Sequence, residues 1–148
     1  MSLAHLIGVA GPTYEMMVET GKIHEFAHAI KSQNSDYLRL DRPVAPPTFL
    51  TVAGNHWGYT LERPGDTIFK DLGIDITLLL HAEEEYEYHG PPPAAGDRLT
   101  VQSVIRNAFT KEGRRGGQMV FYVIETSFRD PEGRLVATQR TTAVQTHA

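Results

Sequence analysis

Apolar positions follow a helical period before Glu83 and an extended one after it. Phe49, Val52, Ala53, His56 and Trp57 fall at i, i+3, i+4, i+7 and i+8, a single stripe of a helix. Ala45-Pro46-Pro47 leads into it, and Pro47 suits the first helical position, where φ is preset and no N–H is needed. Gly58 suits the left-handed close. Almost every other side chain here is apolar or small, which predicts a helix buried along much of its girth. Upstream, Ile23, Phe26, Ala27 and Ile30 repeat the helical spacing and predict a shorter amphipathic helix from Lys22 to Lys31. Tyr14 to Glu19 reads as a short strand behind a lead-in of a dozen residues. Ser32 to Arg42 is polar and turn-like, and Pro43 blocks an easy helical continuation.

Between Tyr59 and Leu80 the pattern is loose. Arg63-Pro64-Gly65-Asp66 is a turn signal, and Ile74 to Leu80 reads as either a strand or a loop docked on the core. The extended period then takes over. Strands are expected at Glu83–His89, from Arg98 to about Thr110, at Gln118–Arg129 and at Arg134–Gln145. Gly90-Pro91-Pro92-Pro93, Gly96-Asp97, the charged loop Lys111–Gly117 and Asp130-Pro131-Glu132-Gly133 separate them. In the third of these strands Val120, Tyr122, Ile124 and Phe128 share one face, and Met119, Phe121 and Val123 the other. A strand apolar on both faces is expected to be covered on both. The fold class is therefore α+β, an antiparallel sheet wrapped around one central helix, as a single domain over residues 1–148 with 1–12 as lead-in.

Composition narrows the chemistry. The chain has 148 residues, 41% hydrophobic and 22% charged, as expected of a soluble globular protein placed in the cytoplasm. A net charge of −4, with no basic run beyond Arg114-Arg115, argues against nucleic-acid binding. No apolar run approaches the roughly 20 residues of a membrane span. With no cysteine there is neither a disulfide framework nor thiolate chemistry.

The helix bearing Phe26-Ala27, the polar loop after it, Ala45-Pro46-Pro47-Thr48-Phe49-Leu50 and the entry Pro93-Ala94-Ala95-Gly96-Asp97-Arg98-Leu99-Thr100-Val101 recur together in one family. In this order they resemble the MaoC-like acyl dehydratases, in particular the N-terminal dehydratase half of type I fatty acid synthases. The chain is also similar to the non-catalytic subunit of the mycobacterial (3R)-hydroxyacyl-carrier-protein dehydratases. The likeness spans roughly Tyr14 to Val144. It implies a hotdog fold pairing with a second hotdog, as a homodimer or with a dyad-bearing subunit. It also implies reversible hydration of a trans-2-enoyl thioester carried by CoA or an acyl-carrier protein, with no cofactor. Active members carry Asp-x-Asn-Pro-x-His just after the Phe-Ala helix, where Asp and His move the proton and helix-end N–H groups polarise the carbonyl.

Aligned on Phe26-Ala27, that motif falls on Ser32, Asn34, Ser35 and Tyr37. Neither a hydroxyl nor a phenol with a pKa near ~10 exchanges protons readily at neutral pH. A shifted register offers Asp36 or Asp41, but no His follows either before Pro43. The expected function is an acyl-thioester-binding subunit without the usual dyad. The alternatives are a self-sufficient homodimeric hydratase using His56 with Asn34 or Asn55, and a non-enzymatic binder of acyl or hydrophobic ligands. Pro47, Thr48, Phe49, Val52, Asn55 and Trp57 are the candidate substrate contacts, and Arg114 and Arg115 could meet a phosphate of the carrier. The central helix has no carboxylate from Thr48 to Gly58, which argues against a hotdog thioesterase. His24-Glu25-Phe26-Ala27-His28 spells a zinc-protease signature, but Lys31 and Asn34 stand where its extended form has glycine and a third histidine. No metal is expected. Glu83, Glu84, Glu85 and Glu87 read as a solvated strand edge that deters strand pairing rather than as a metal site.

Overall fold

The computed structural model describes residues 3–54, 72, 74, 76–113 and 117–146. Five strands form one antiparallel sheet: β1 (Tyr14–Met17), β2 (Leu79–Tyr88), β3 (Arg98–Glu112), β4 (Gln118–Arg129) and β5 (Leu135–Thr146). Their spatial order is β1-β3-β4-β5-β2, so β3, β4 and β5 make a meander with β1 on one flank and β2 on the other. The hairpin turns follow from local chemistry. At Asp130–Gly133 the aspartate Oδ1 accepts from the Arg134 N–H at 2.8 Å, and Gly133 takes φ 82°, which an L side chain rarely adopts. At the entry to β3, Asp97 accepts from the Ala94 N–H at 2.9 Å and meets Arg42 at 2.6 Å. Gly96-Asp97 is thus a structural turn, as its residue types suggest.

Helix α1 (Thr20–Ala29) buries Ile23 and Ala27 and half-buries Phe26. Its stripe stops short of expectation, because Lys31 turns left-handed at φ 55° and ends the helix, leaving Ile30 about half exposed. A further single-turn helix, α2 (Ser35–Leu38), lies inside the stretch read as turn.

The central segment enters differently from expectation. Pro47 is not the first helical residue: the Phe49 N–H reaches the Pro46 carbonyl at 2.9 Å, so Pro47 sits second in a turn. Its fixed φ serves that position equally well. The chain then tightens into a 3-10 turn at Phe49–Thr51, and Val52 and Ala53 continue helically. Phe49 and Leu50 are wholly buried and Ala53 nearly so, packed with Met16, Val18, Ile23, Leu99, Val101, Phe128 and Ala137. Phe26 meets Phe49 edge-on, ring centres 5.7 Å apart. The start of the central helix is therefore the middle of the main core, with the sheet packed against it. Asn55, His56, Trp57 and Gly58 lie outside the described residues, as do the turn at Arg63–Asp66 and the pair Arg114-Arg115.

Three further differences have physical reasons. Strand β2 starts at Leu79, four residues before the first clear alternation, because Leu78-Leu79-Leu80 is a continuous apolar run that hides the period. The lead-in is docked along β3: the Gly8 N–H donates to Ile105 O and the Ile105 N–H to Val9 O, with Leu6 buried in a second cluster around Ile105, Val120 and Ile124. On β4, residues 120, 122, 124, 126 and 128 are buried whereas Met119, Phe121 and Val123 are half-buried. Part of that outer face is closed by its own side chains, since Phe121 stacks on Phe109 at 5.0 Å with the Lys111 ammonium over both rings. No helix among the described residues is long and apolar enough to cross a membrane.

Candidate functional site

The motif positions span the loop after α1 and the first residues of α2, and the Ser32 and Asn34 side chains are committed to shaping that loop. The Asn34 Oδ1 accepts from the Asp36 N–H at 2.9 Å and caps α2, while the Ser32 Oγ accepts from the Asn34 N–H at 3.2 Å. Tyr37 is half-buried against the main core. Of the carboxylates that a shifted register could use, Asp36 is exposed, and Asp41 takes two hydrogen bonds from Arg39, at 3.1 and 2.9 Å. Those bonds hold the Asp41 carboxyl far below the usual carboxylate range, so it is a poor proton acceptor.

Among the described residues the histidines of α1 have no third ligand group beside them. The His24 Nε2 lies 2.9 Å from the Arg39 carbonyl, which requires that nitrogen to carry the proton and ties the helix to the chain leaving α2. Among the described residues no group of three or more His, Asp or Glu side chains could hold a metal ion.

The polar face that sequence reasoning missed is the inner side of β2. Tyr88 donates its hydroxyl to the Pro47 carbonyl at 2.8 Å, and Tyr86 meets the Thr51 side chain, so two tyrosines fasten the opening of the central helix to the sheet. Burial pushes the Tyr88 phenol up to about 12, with Tyr37 nearby adding to it. Burial raises Tyr86 further, reinforced by the Glu84 charge and opposed by Thr51. Both stay neutral donors at ordinary pH.

Glu84 lies beside them with its side chain only 19% exposed. It accepts from Gln139 and from the Thr141 hydroxyl at 2.9 Å, and the His81 ring stands 2.7 Å away. Residues 81 and 84 of a regular strand face opposite ways, but a bulge between His81 and Glu83 turns both to one side. A carboxylate anchored by two neutral donors thus fixes an imidazole, an arrangement able to hold one tautomer in place. Nothing in the alternation of the sequence signals that bulge. Glu83, Glu85 and Glu87 do face solvent, as the edge reading expects.

The proposed substrate contacts are divided by burial. Pro47 and Thr48 are exposed and Val52 half-buried, while Phe49 is sealed in the core. Asn55, His56 and Trp57 lie outside the described residues.

Comparison with known proteins gives these residues a setting. Residues 5–139 match the family model described as the FAS1-like dehydratase domain region. A UPF0336 protein of Streptomyces coelicolor is 35% identical over 103 residues, a match spanning 64% of this chain and 64% of that relative. The enoyl-CoA hydratase ChsH3 of Mycobacterium tuberculosis is 33% identical over 104 residues, which cover 70% of this chain but 33% of that longer protein. Among solved structures, a chain of the HadBC (3R)-hydroxyacyl-ACP dehydratase complex of M. tuberculosis superposes with a TM-score of 0.67. That match has 21% identity and covers 94% of this chain and 96% of that one. It shows the fold, the hotdog.

Proposed function

Because this chain belongs to the FAS1-like dehydratase domain region family, we propose that it is the acyl-thioester-binding subunit of a (3R)-hydroxyacyl/enoyl thioester hydratase, active with a dyad-bearing hotdog partner. The observation that carries the reading is the content of the loop after α1. Ser32, Ser35 and Tyr37 stand where the active motif has Asp, Pro and His, and the retained Asn34 is engaged in capping α2. Asp36 is an exposed carboxylate there, but no histidine follows it before Pro43 to complete a proton-moving pair.

In the hydration direction, a base takes a proton from water, the hydroxyl adds to C3 of the enoyl thioester, and a proton is delivered to C2. Charge develops on the thioester oxygen, where helix-start N–H donors stabilise it. In this reading the partner's Asp and His move the proton. This subunit supplies the wall of the acyl slot from Pro47, Thr48 and Val52 onward to Asn55 and Trp57, while Phe49 supports that wall from behind. Tyr86 and Tyr88 hold the helix opening in position. The carrier is CoA or an acyl-carrier protein.

The test is an assay of the purified chain alone on crotonyl-CoA. The reading expects binding without turnover. Turnover that disappears in His56→Ala would replace it with a self-sufficient homodimeric hydratase, and absence of thioester binding would remove it.

A further inference from the structure

At the end of the sheet away from the β3–β4 hairpin, the segment before β3 and the turn joining β4 to β5 enclose a cleft of about 500 Å³. That is the size of a small-ligand site. Prolines dominate its apolar walls, Pro91 to Pro93 on one side and Pro131 on the other, with Leu99 and Val136 adding to them. The chain leaving α2 sets it apart from the motif loop. The Val44 N–H donates to the Asp36 carbonyl at 3.0 Å, while the Ala45 N–H donates to Pro93 O at 2.8 Å and the Ala95 N–H to Pro43 O at 2.9 Å. Residues 43–45 thus bond to the motif loop on one side and to the cleft wall on the other.

Three guanidiniums and three carboxylates line this cleft, and they are unevenly engaged. Arg42 meets Asp97 at 2.6 Å, and Arg134 meets Asp130 at 2.7 Å and Glu132 at 3.4 Å. Asp97 and Asp130 each also hold a main-chain N–H, so both are fixed as turn anchors. The N–H groups of Gly96, Asp97 and Gly133 already donate to carbonyls, and the proline walls have none to offer. Arg98 differs. Its side chain is exposed and has no hydrogen-bond or ion-pair partner among the described residues. The charges of the lining cancel, so a ligand meets no broad positive field, only a local fork of donors suited to one oxyanion.

We propose that this cleft is a binding site for a singly charged organic anion, its apolar body between the proline walls and its carboxylate or phosphodiester on Arg98. The prolines give a rigid apolar surface that orders without loss of side-chain freedom. Asp97, Asp130 and Glu132 on the same lining repel further negative charge, which selects monoanions over multiply charged phosphates. The site is separate from the acyl slot and stands independently of the functional reading above.

Ligand-observed NMR titrations of the purified chain with hexanoate, dibutyl phosphate and neutral hexanamide test it. At least one anion is expected to bind saturably, and the tighter of the two identifies the source as carboxylate or phosphodiester. Hexanamide should bind about tenfold more weakly than hexanoate if the carboxylate is the source, the scale of one lost charge-assisted bond. Arg98→Gln should weaken the preferred anion by a similar factor and leave crotonyl-CoA binding unchanged. Pyrophosphate should displace that anion poorly. The inference is overturned if neither anion binds, if a folded Arg98→Gln variant binds the anion as wild type does, or if pyrophosphate binds more tightly than both. Loss of crotonyl-CoA binding in Arg98→Gln would overturn it too, by making the cleft part of the thioester site. Should that variant fail to fold, the pyrophosphate competition on wild type still decides.

Discussion

Tyr88 and Glu84 have the most distinctive surroundings among the described residues, and each carries a prediction. The Tyr88 phenol is raised from 10.0 to about 12, so the folded state holds its proton more tightly than the unfolded one. Its contribution to stability is complete below pH 10 and falls away as pH rises from there towards 12. Urea unfolding repeated from pH 8 to pH 11 should show a decline at the alkaline end that is smaller in Tyr88→Phe. At neutral pH the same variant should lose about 0.5–1.5 kcal/mol, because the Pro47 carbonyl loses its donor. Glu84→Ala removes the acceptor shared by Gln139, Thr141 and His81. A cost of roughly 1–3 kcal/mol is expected from the donors left behind, with Glu84→Gln recovering part of it. Equal stability of Glu84→Ala and wild type in urea would show that the cluster holds nothing together.

At the scale of elements, the amount legible in the sequence tracked the strength of each local signal. Strands β3, β4 and β5 were readable to within about two residues at nearly every end, since β-branched and aromatic alternation is bounded there by Gly, Pro and Asp turns. The spacing of Phe49, Val52 and Ala53 located the core segment, although Pro47 went to a turn rather than to the helix itself. What escaped depends on irregularities without a residue signature. The bulge that swings His81 towards Glu84 leaves the sequence looking like an acidic edge, and the docking of Leu6 on β3 needs a partner far along the chain. That Ser32 and Tyr37 stand at the positions aligned with the motif's Asp and His is a statement about residue types alone, and it belongs to the proposed reading. Phe49→Ala tests the central segment. The side chain is wholly buried and meets Phe26 edge-on, so truncation should cost about 3–5 kcal/mol by chemical denaturation. A cost below about 1 kcal/mol would mean that the segment does not anchor the core.

For the whole molecule, the sheet has one face packed on α1 and the opening of the central helix, and among the described residues β2 is its outer strand beyond β5. In the proposed reading, a hotdog with Ser32 and Tyr37 at the positions aligned with the motif's Asp and His keeps the wall and the framework, and its partner supplies the proton carrier. The most direct measurement is the rate of crotonyl-CoA hydration, followed by loss of the enoyl thioester absorbance, for this chain alone and in equimolar mixture with a dyad-bearing hotdog of the same family that pairs with it. The account predicts no rate above buffer for the chain alone and turnover in the mixture beyond that of the partner by itself. Hydration by the unaccompanied chain, persisting after repurification, would contradict it.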